Sequence, residues 1–285
     1  MRWTECISDA VTFIESNINE EITVTDIAKE VHLSPFYFQR GFAMLCGFTV
    51  SDYIRSRRLA LAGAEVAATD RKIIDIAVKY GYDSPDSFTK AFTRFHGCTP
   101  ISVRRDGARI KSFAPVSIKF TLEGGYSMDY RIVEKDAFTV VGLQRVFKYD
   151  EAMAAVPKLW GEFQQMAQSK DICPVYGINT DETMEGDVFE YMIADNYDPA
   201  KEVCDGFTTK IIPQFTWAAF TCKGKMPDVM QEVNKQIFSE WLPNCKEYKI
   251  AAGYCIEMYE DPTNYPNGVQ DENYHSEIWI PIKQK

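Results

Sequence analysis

Histidine is scarce in this 285-residue chain: His32, His96 and His275 are the three, far apart in sequence. The eight cysteines, from Cys6 to Cys255, are scattered singly, with no Cys-x-x-Cys pair. Metal-ligand spacing is therefore absent, and the expectation is free thiols in a reducing cytoplasm. No run of 18 apolar residues occurs, so no transmembrane helix is expected. Met1-Arg2-Trp3-Thr4-Glu5-Cys6 leads straight into an amphipathic pattern, without the marks of a signal peptide. No Gly-rich phosphate loop and no Ser/His/Asp or Cys/His arrangement is legible. The expectation is a cytoplasmic protein with no cofactor, no metal and no membrane partner.

Positive charge is also short, with 31 Lys/Arg against 41 Asp/Glu and a net charge of −10. The deficit is local. Residues 1–110 carry 14 basic and 14 acidic side chains, and residues 36–110 carry 12 against 7. Residues 111–285 carry 17 against 27, so the whole imbalance of −10 sits there. A domain of that charge does not seek DNA phosphate, but its field raises the local concentration of cations.

What is present is a repeat. Asp26-Ile27-Ala28 returns as Asp75-Ile76-Ala77, and Ser34-Pro35 as Ser84-Pro85. The offset is 49 residues before the turn and 50 after it, Asp83 being the extra residue. Each copy reads as a helix-turn-helix. Ile27, Ala28 and Val31 share one helical face, Leu33 plugs the turn, and Ser34-Pro35 suits a helix start. Phe38 and Phe42 then bury one face of the second helix. Left outward are Phe36, Gln39 and Arg40 in the first copy, and Asp86, Ser87, Lys90 and Arg94 in the second. Such side chains can reach base edges and phosphates in a major groove. A helical stripe over residues 5–18 reads as a scaffold helix. Residues 50–68 read as a connector that would hold the two recognition helices about one duplex turn, ~34 Å, apart. One chain could then bind an asymmetric site as a monomer or weak dimer. Arg55, Arg57 and Arg58 on the connector are open to two readings, a solvated face or phosphate clamps and internal salt bridges.

Residues 5–107 resemble the DNA-binding domain of AraC/XylS-type transcription regulators, in the right-origin-binding branch. The Tyr53-Ile54-Arg55-Ser56-Arg57-Arg58-Leu59 run and the closing Gly97-Cys98-Thr99-Pro100 carry the likeness with the repeat. The resemblance implies double-stranded DNA as a partner, with RNA polymerase a further candidate. Two positions depart from the family: His32 stands where Gly is usual, which demands an uncommon backbone geometry, and Val103 stands where Tyr is usual.

The chain past residue 108 changes character. Residues 109–125 read as a linker with one alternating strand, Val116–Leu122. Residues 126–285 show a weaker duplication of strand-helix-strand-strand. The first half runs over Phe138–Phe147, Asp150–Gln168, Val175–Asp181 and Val188–Asp195. The second runs over Phe215–Lys223, Pro227–Leu242, Ala252–Glu260 and Ser276–Lys283. Leu159-Trp160 pairs with Ile237-Phe238, Phe163 with Trp241, and Glu190 with Glu277. The expected fold is thus α+β in two domains: an all-α tandem helix-turn-helix domain (1–108), then a duplicated α+β domain (126–285) with a concave pocket on its pseudo-twofold axis.

This second part resembles the GyrI-like effector-binding domains in Met128–Val133, Phe138–Gly142 and Glu277–Ile282. The resemblance implies a pocket for a small, cationic or amphipathic aromatic molecule, with a strand carboxylate at its centre, here Glu277. Period two puts Ile278, Ile280 and Ile282 on one face of the last strand and Glu277 and Trp279 on the other. The Ile face is expected against helices and the Glu face in the cleft. Trp160, Phe163, Tyr191, Tyr254 and Tyr259 are candidate walls, each of them equally readable as core. Glu190 and Glu257 are weaker carboxylate candidates, and Glu277 itself could be a rim carboxylate facing water. Some GyrI-like domains are hydrolases, so a small-molecule hydrolase fused to a DNA-binding head is the alternative. A structural tail is the third reading.

Overall fold

Among the described residues, seven helices come first in the chain: α1 (Trp3–Ser16), α2 (Val24–Glu30), α3 (Pro35–Cys46), α4 (Val50–Ala68), α5 (Ile73–Lys79), α6 (Pro85–His96) and α7 (Pro100–Asp106). The computed structural model describes residues 3–117, 128–149, 151–167, 173–181 and 188–285. The strand expected over Val116–Leu122 falls largely outside the described residues. The helix starts are set by side chains that satisfy orphan backbone N–H groups. Thr23 and Asp26 form a reciprocal capping box on α2. Thr49, Ser84 and Thr99 cap α4, α6 and α7, and Gly97 and Gly107 close the last two in the left-handed region. The turn after α2 places His32 at φ +56°, and its repeat partner Gly81 sits at φ +80°. The uncommon geometry expected of His32 is thus present.

The chain divides into two compact units. One holds Thr4–Leu33 and Cys46–Phe120; the other holds Met1–Trp3, Ser34–Leu45 and Thr121–Lys285. The sequence boundary at residue 108 would leave α3 with the other helices, whereas its contacts group it with the sheet. In the helical unit Leu59, Ala62 and Val66 of α4 pack with Ile76, Ala77, Phe88, Phe92 and Val103. Val103, the departure from the family's Tyr, is a core residue there. The connector arginines also take sides. Arg57 is buried and grips Glu15 through Nη2 at 2.6 Å and Nε at 2.8 Å. Arg58 donates to the carbonyls of Ile18 and Glu20. Both are internal ties, while Arg55 is exposed beside Asp52.

The other unit is built on a sheet, nine-stranded among the described residues: β1 (Tyr130–Lys135), β2 (Phe138–Lys148), β3 (Tyr176–Asp181), β4 (Val188–Asn196), β5 (Thr208–Ile212), β6 (Phe215–Lys223), β7 (Tyr248–Ile250), β8 (Gly253–Tyr259) and β9 (His275–Gln284). Helix α8 (Ala152–Ala167) follows β2, and α9 (Asp228–Gln236) follows β6. The strand order is β1-β6-β9-β8-β3-β4-β2-β5, with β7 on β9. Its centre, β6-β9-β8 against β3-β4-β2, is the duplication read from the sequence: each half is strand, helix, strand, strand. The halves meet where Ile178 of β3 faces Ile256 of β8. Strands β1, β5 and β7 are additions to that plan. The second helix, expected from the sequence as one run over Pro227–Leu242, instead passes after Gln236 into a π-helical turn, Ile237–Trp241.

The sheet has two distinct faces. One carries Val140, Tyr176, Ile178, Met192, Trp217, Ala219, Tyr254, Ile256 and Trp279 as an apolar cluster. The other is covered by the helices. Leu159 and Phe163 of α8 pack there on Val141, Leu143, Phe189, Tyr191 and Ile193. Trp241 packs edge-on to Phe220, the cross-strand partner of Ile278. The Ile face of β9 therefore meets helices, as expected.

Candidate functional site

The two recognition helices differ in what they show to solvent. On α6, Phe88 and Phe92 are buried, and Asp86, Ser87, Lys90 and Arg94 are all exposed. Ser87 also donates to the Ser84 carbonyl at 2.9 Å, so part of its hydroxyl serves the helix start. On α3 the expected outward set is turned inward: Phe36 and Gln39 are buried and Arg40 is partly buried. The cause lies in its own unit. Phe36 packs edge-on to Tyr149 at 6.0 Å, and Tyr37 packs on Phe238 at 5.6 Å. Arg40 Nη2 donates to Cys255 Sγ at 2.9 Å, with the guanidinium carbon 5.8 Å from the Phe238 ring centroid.

The predicted ligand residues divide between the sheet faces. In antiparallel pairing, directly opposed residues share a face. Glu277 opposes Met258, and Glu257 opposes Ile278. Glu277 and Glu257 therefore point to opposite sides. Glu277 and Trp279 share the face of the sheet-only cluster with Tyr254 and Glu190, while Glu257 lies on the helix-covered face with Tyr191, Trp160 and Phe163.

Glu277 is buried and already neutralised. Arg131 holds it with two bonds, Nη1 to Oε1 at 2.5 Å and Nη2 to Oε2 at 2.9 Å, and the Trp279 indole N–H donates to Oε2 at 2.7 Å. Burial works to raise this carboxyl, but Arg131, Trp279 and His275 hold it below the ordinary carboxylate range. Glu190 is likewise engaged, 2.5 Å from Lys210 Nζ. Tyr254 packs against Phe215, and Trp279 against Trp217. Phe163 is core, stacked edge-on with Phe207.

Glu257 has different company. Tyr259 and Tyr191 both donate hydroxyl hydrogens to its Oε2, at 2.8 and 3.0 Å. Trp160 donates to Tyr191 and packs edge-on to Tyr259 at 5.3 Å. Burial, then the Glu257 charge, pushes both phenols well above their ordinary value, so they stay protonated donors. Room for this cluster comes from Gly177, directly across the strand pair from Glu257. A Cβ there would fall 2.4 Å from Tyr191 Oη and 2.9 Å from Glu257 Oε2. Beside it lie Cys255 and its strand partner Asn179, whose Oδ1 is buried without a hydrogen-bond donor among the described residues. A partly exposed carboxylate ringed by aromatic side chains is chemistry suited to an organic cation.

Comparison with known proteins fits both halves. Residues 27–106 match a helix-turn-helix domain family, and residues 131–282 match the integron-associated effector binding protein family. The regulatory protein SoxS of Escherichia coli K12 is 36% identical over 104 residues, 36% of this chain and 97% of that protein. This chain belongs to the AraC family of transcription regulators. Its AraC-type helices are joined to a domain of the integron-associated effector-binding family. An AraC-family relative along the full length is the transcriptional regulator Rob of Salmonella typhimurium, 25% identical over 296 residues and 98% of each chain. Among solved structures, SAV2435 bound to tetraphenylphosphonium is similar over 55% of this chain and 94% of its own, with 18% identity and a TM-score of 0.47. This AraC-type protein is thus a DNA-binding regulator with an effector-binding domain.

Proposed function

We propose that the effector of this regulator is an organic cation, that Glu257 rather than Glu277 anchors it, and that α6 reads DNA through Lys90, Arg94, Asp86 and Ser87. The observation that carries the reading is the Glu257 carboxylate held by Tyr191 and Tyr259 beside Trp160. Glu277 is unsuited to the part, because Arg131 already supplies its counter-charge. The aromatic faces add cation–π attraction of about 0.5–2 kcal/mol each, and the acidic second half of the chain favours cations at long range. The protein acts as a sensor and not as a hydrolase: the phenols around Glu257 are held protonated and are spent as donors to it, which weakens both as bases or nucleophiles. It works in the cytoplasm, one chain per DNA site, with RNA polymerase as its further partner.

Titration with rhodamine 6G tests the anchor. Charge-assisted contacts are worth about 1.5–3 kcal/mol, so Glu257→Gln is expected to weaken dye binding about ten- to hundredfold. Glu277→Gln is expected to lower thermal stability by stranding Arg131, with dye affinity nearly unchanged. Equal dye affinity in wild type and Glu257→Gln would remove the anchor, and steady product formation from a reactive ester would replace the sensor by a hydrolase.

A further inference from the structure

Helix α3 carries a cation into the neighbourhood of the same carboxylate. Arg40 is the repeat counterpart of Lys90, yet Lys90 is exposed on α6 while Arg40 Nη2 bonds to Cys255 Sγ. Cys255 lies two residues from Glu257 on the same side of β8. Burial opposes the Arg40 charge, but Cys255, Glu257 and Tyr149 outweigh it and hold the guanidinium above its ordinary value. Its Nε is buried without an acceptor among the described residues. The neighbours of Arg40 on α3 are held too: Phe36 against Tyr149 and Tyr37 against Phe238, at 6.0 and 5.6 Å between ring centroids. Phe238 stands on the π-helical turn that interrupts the second helix of the domain, a feature common at functional sites. The residues that sequence pattern assigns to base reading, Phe36, Gln39 and Arg40, are thus the ones occupied here. They cannot lie against the sheet unit and in a major groove at once.

We propose that Arg40 is a tethered cation beside the Glu257 cluster, and that an organic cation entering beside Glu257 displaces it and releases α3 for DNA. Arg40 bonds Cys255, two residues from Glu257 on the same side of β8, so the exchange keeps a positive charge near this carboxylate in both states. Effector binding and DNA binding are then coupled, and by linkage each strengthens the other by the same factor. The proposal rests on the cation reading above.

The test uses the full chain and rhodamine 6G. Removing the tethered competitor by Arg40→Ala is expected to tighten dye binding about tenfold, within the usual range of coupling between sites. Arg40→Met, which keeps the aliphatic stem, is expected to do the same and guards against loss of packing. In wild type, saturating dye is expected to speed amide hydrogen exchange in α3 and leave α6 unchanged. Both readouts are required, and unchanged dye affinity in the two Arg40 variants, or unchanged α3 exchange, overturns the displacement. Glu257→Gln separates the two levels. If it leaves dye binding intact, the cation reading itself falls; if it abolishes binding but α3 stays protected under dye in wild type, only the displacement falls.

Discussion

At the scale of single residues, the choice of anchor turns on register. Sequence pattern correctly puts Glu277 opposite in facing to Ile278, because alternation along one strand is a local property. It cannot say which residue of β8 stands beside which residue of β9, and that pairing sends Glu257 and Glu277 to opposite sides. Nor does the sequence show that Arg131, 146 positions away, is the partner of Glu277. A signal for Glu257 did exist: Gly177 inside the strand Tyr176–Asp181 marks a close approach. Gly177→Ala is expected to overfill the site, at a cost of about 1–3 kcal/mol in stability, and to push Tyr191 off Glu257. Thermal unfolding and dye titration of that variant read the two effects together, and an unchanged dye affinity would mean that the Tyr191–Glu257 contact is dispensable.

At the scale of elements, the helices were the legible part, since caps and apolar spacing are written within a few residues of each other. The short strands β1, β5 and β7 were less so, because three to six residues at or near a sheet edge carry little periodicity. The inward turn of α3 was invisible for a different reason: Phe36, Gln39 and Arg40 suit a groove in DNA and packing against aromatic side chains equally well. The joint between α6 and α4 carries a consequence for pH. His96 Nδ1 accepts from the Lys111 amide at 3.1 Å, so Nε2 bears the proton and donates to the Leu59 carbonyl at 2.9 Å. Burial pushes this imidazole below its ordinary value. A depressed folded value means that neutral His96 adds stability in full above the unfolded pKa of about 6.5, and that this is lost as pH falls through the lower folded value. The melting temperature is therefore expected to drop between pH 7 and 5, and His96→Gln is expected to flatten that window. A wild-type profile identical to that of the variant would show that His96 is not the group responsible.

At the scale of the whole molecule, charge is divided by role. The chain is acidic overall, yet the basic side chains of α6 stand clear in the half that is not. Affinity for duplex DNA is expected to fall steeply with salt, and loss of Lys90 to Ala is expected to lower the salt slope by about one if it meets a phosphate. Gel-shift titrations at several salt concentrations measure both, and a slope unchanged by Lys90→Ala would place that side chain on a base edge or off the DNA. The effector domain is likewise divided. Its halves are related about the Ile178–Ile256 pair, which makes Asn179 the counterpart of Glu257 one step along the partner strand. A doubled scaffold would ordinarily offer two equivalent seats. Here one seat is an anion and the other a neutral amide, so the frame is even while its valence is odd. If Glu257 is the anchor, the expected count is one organic cation per chain, seated in a single direction.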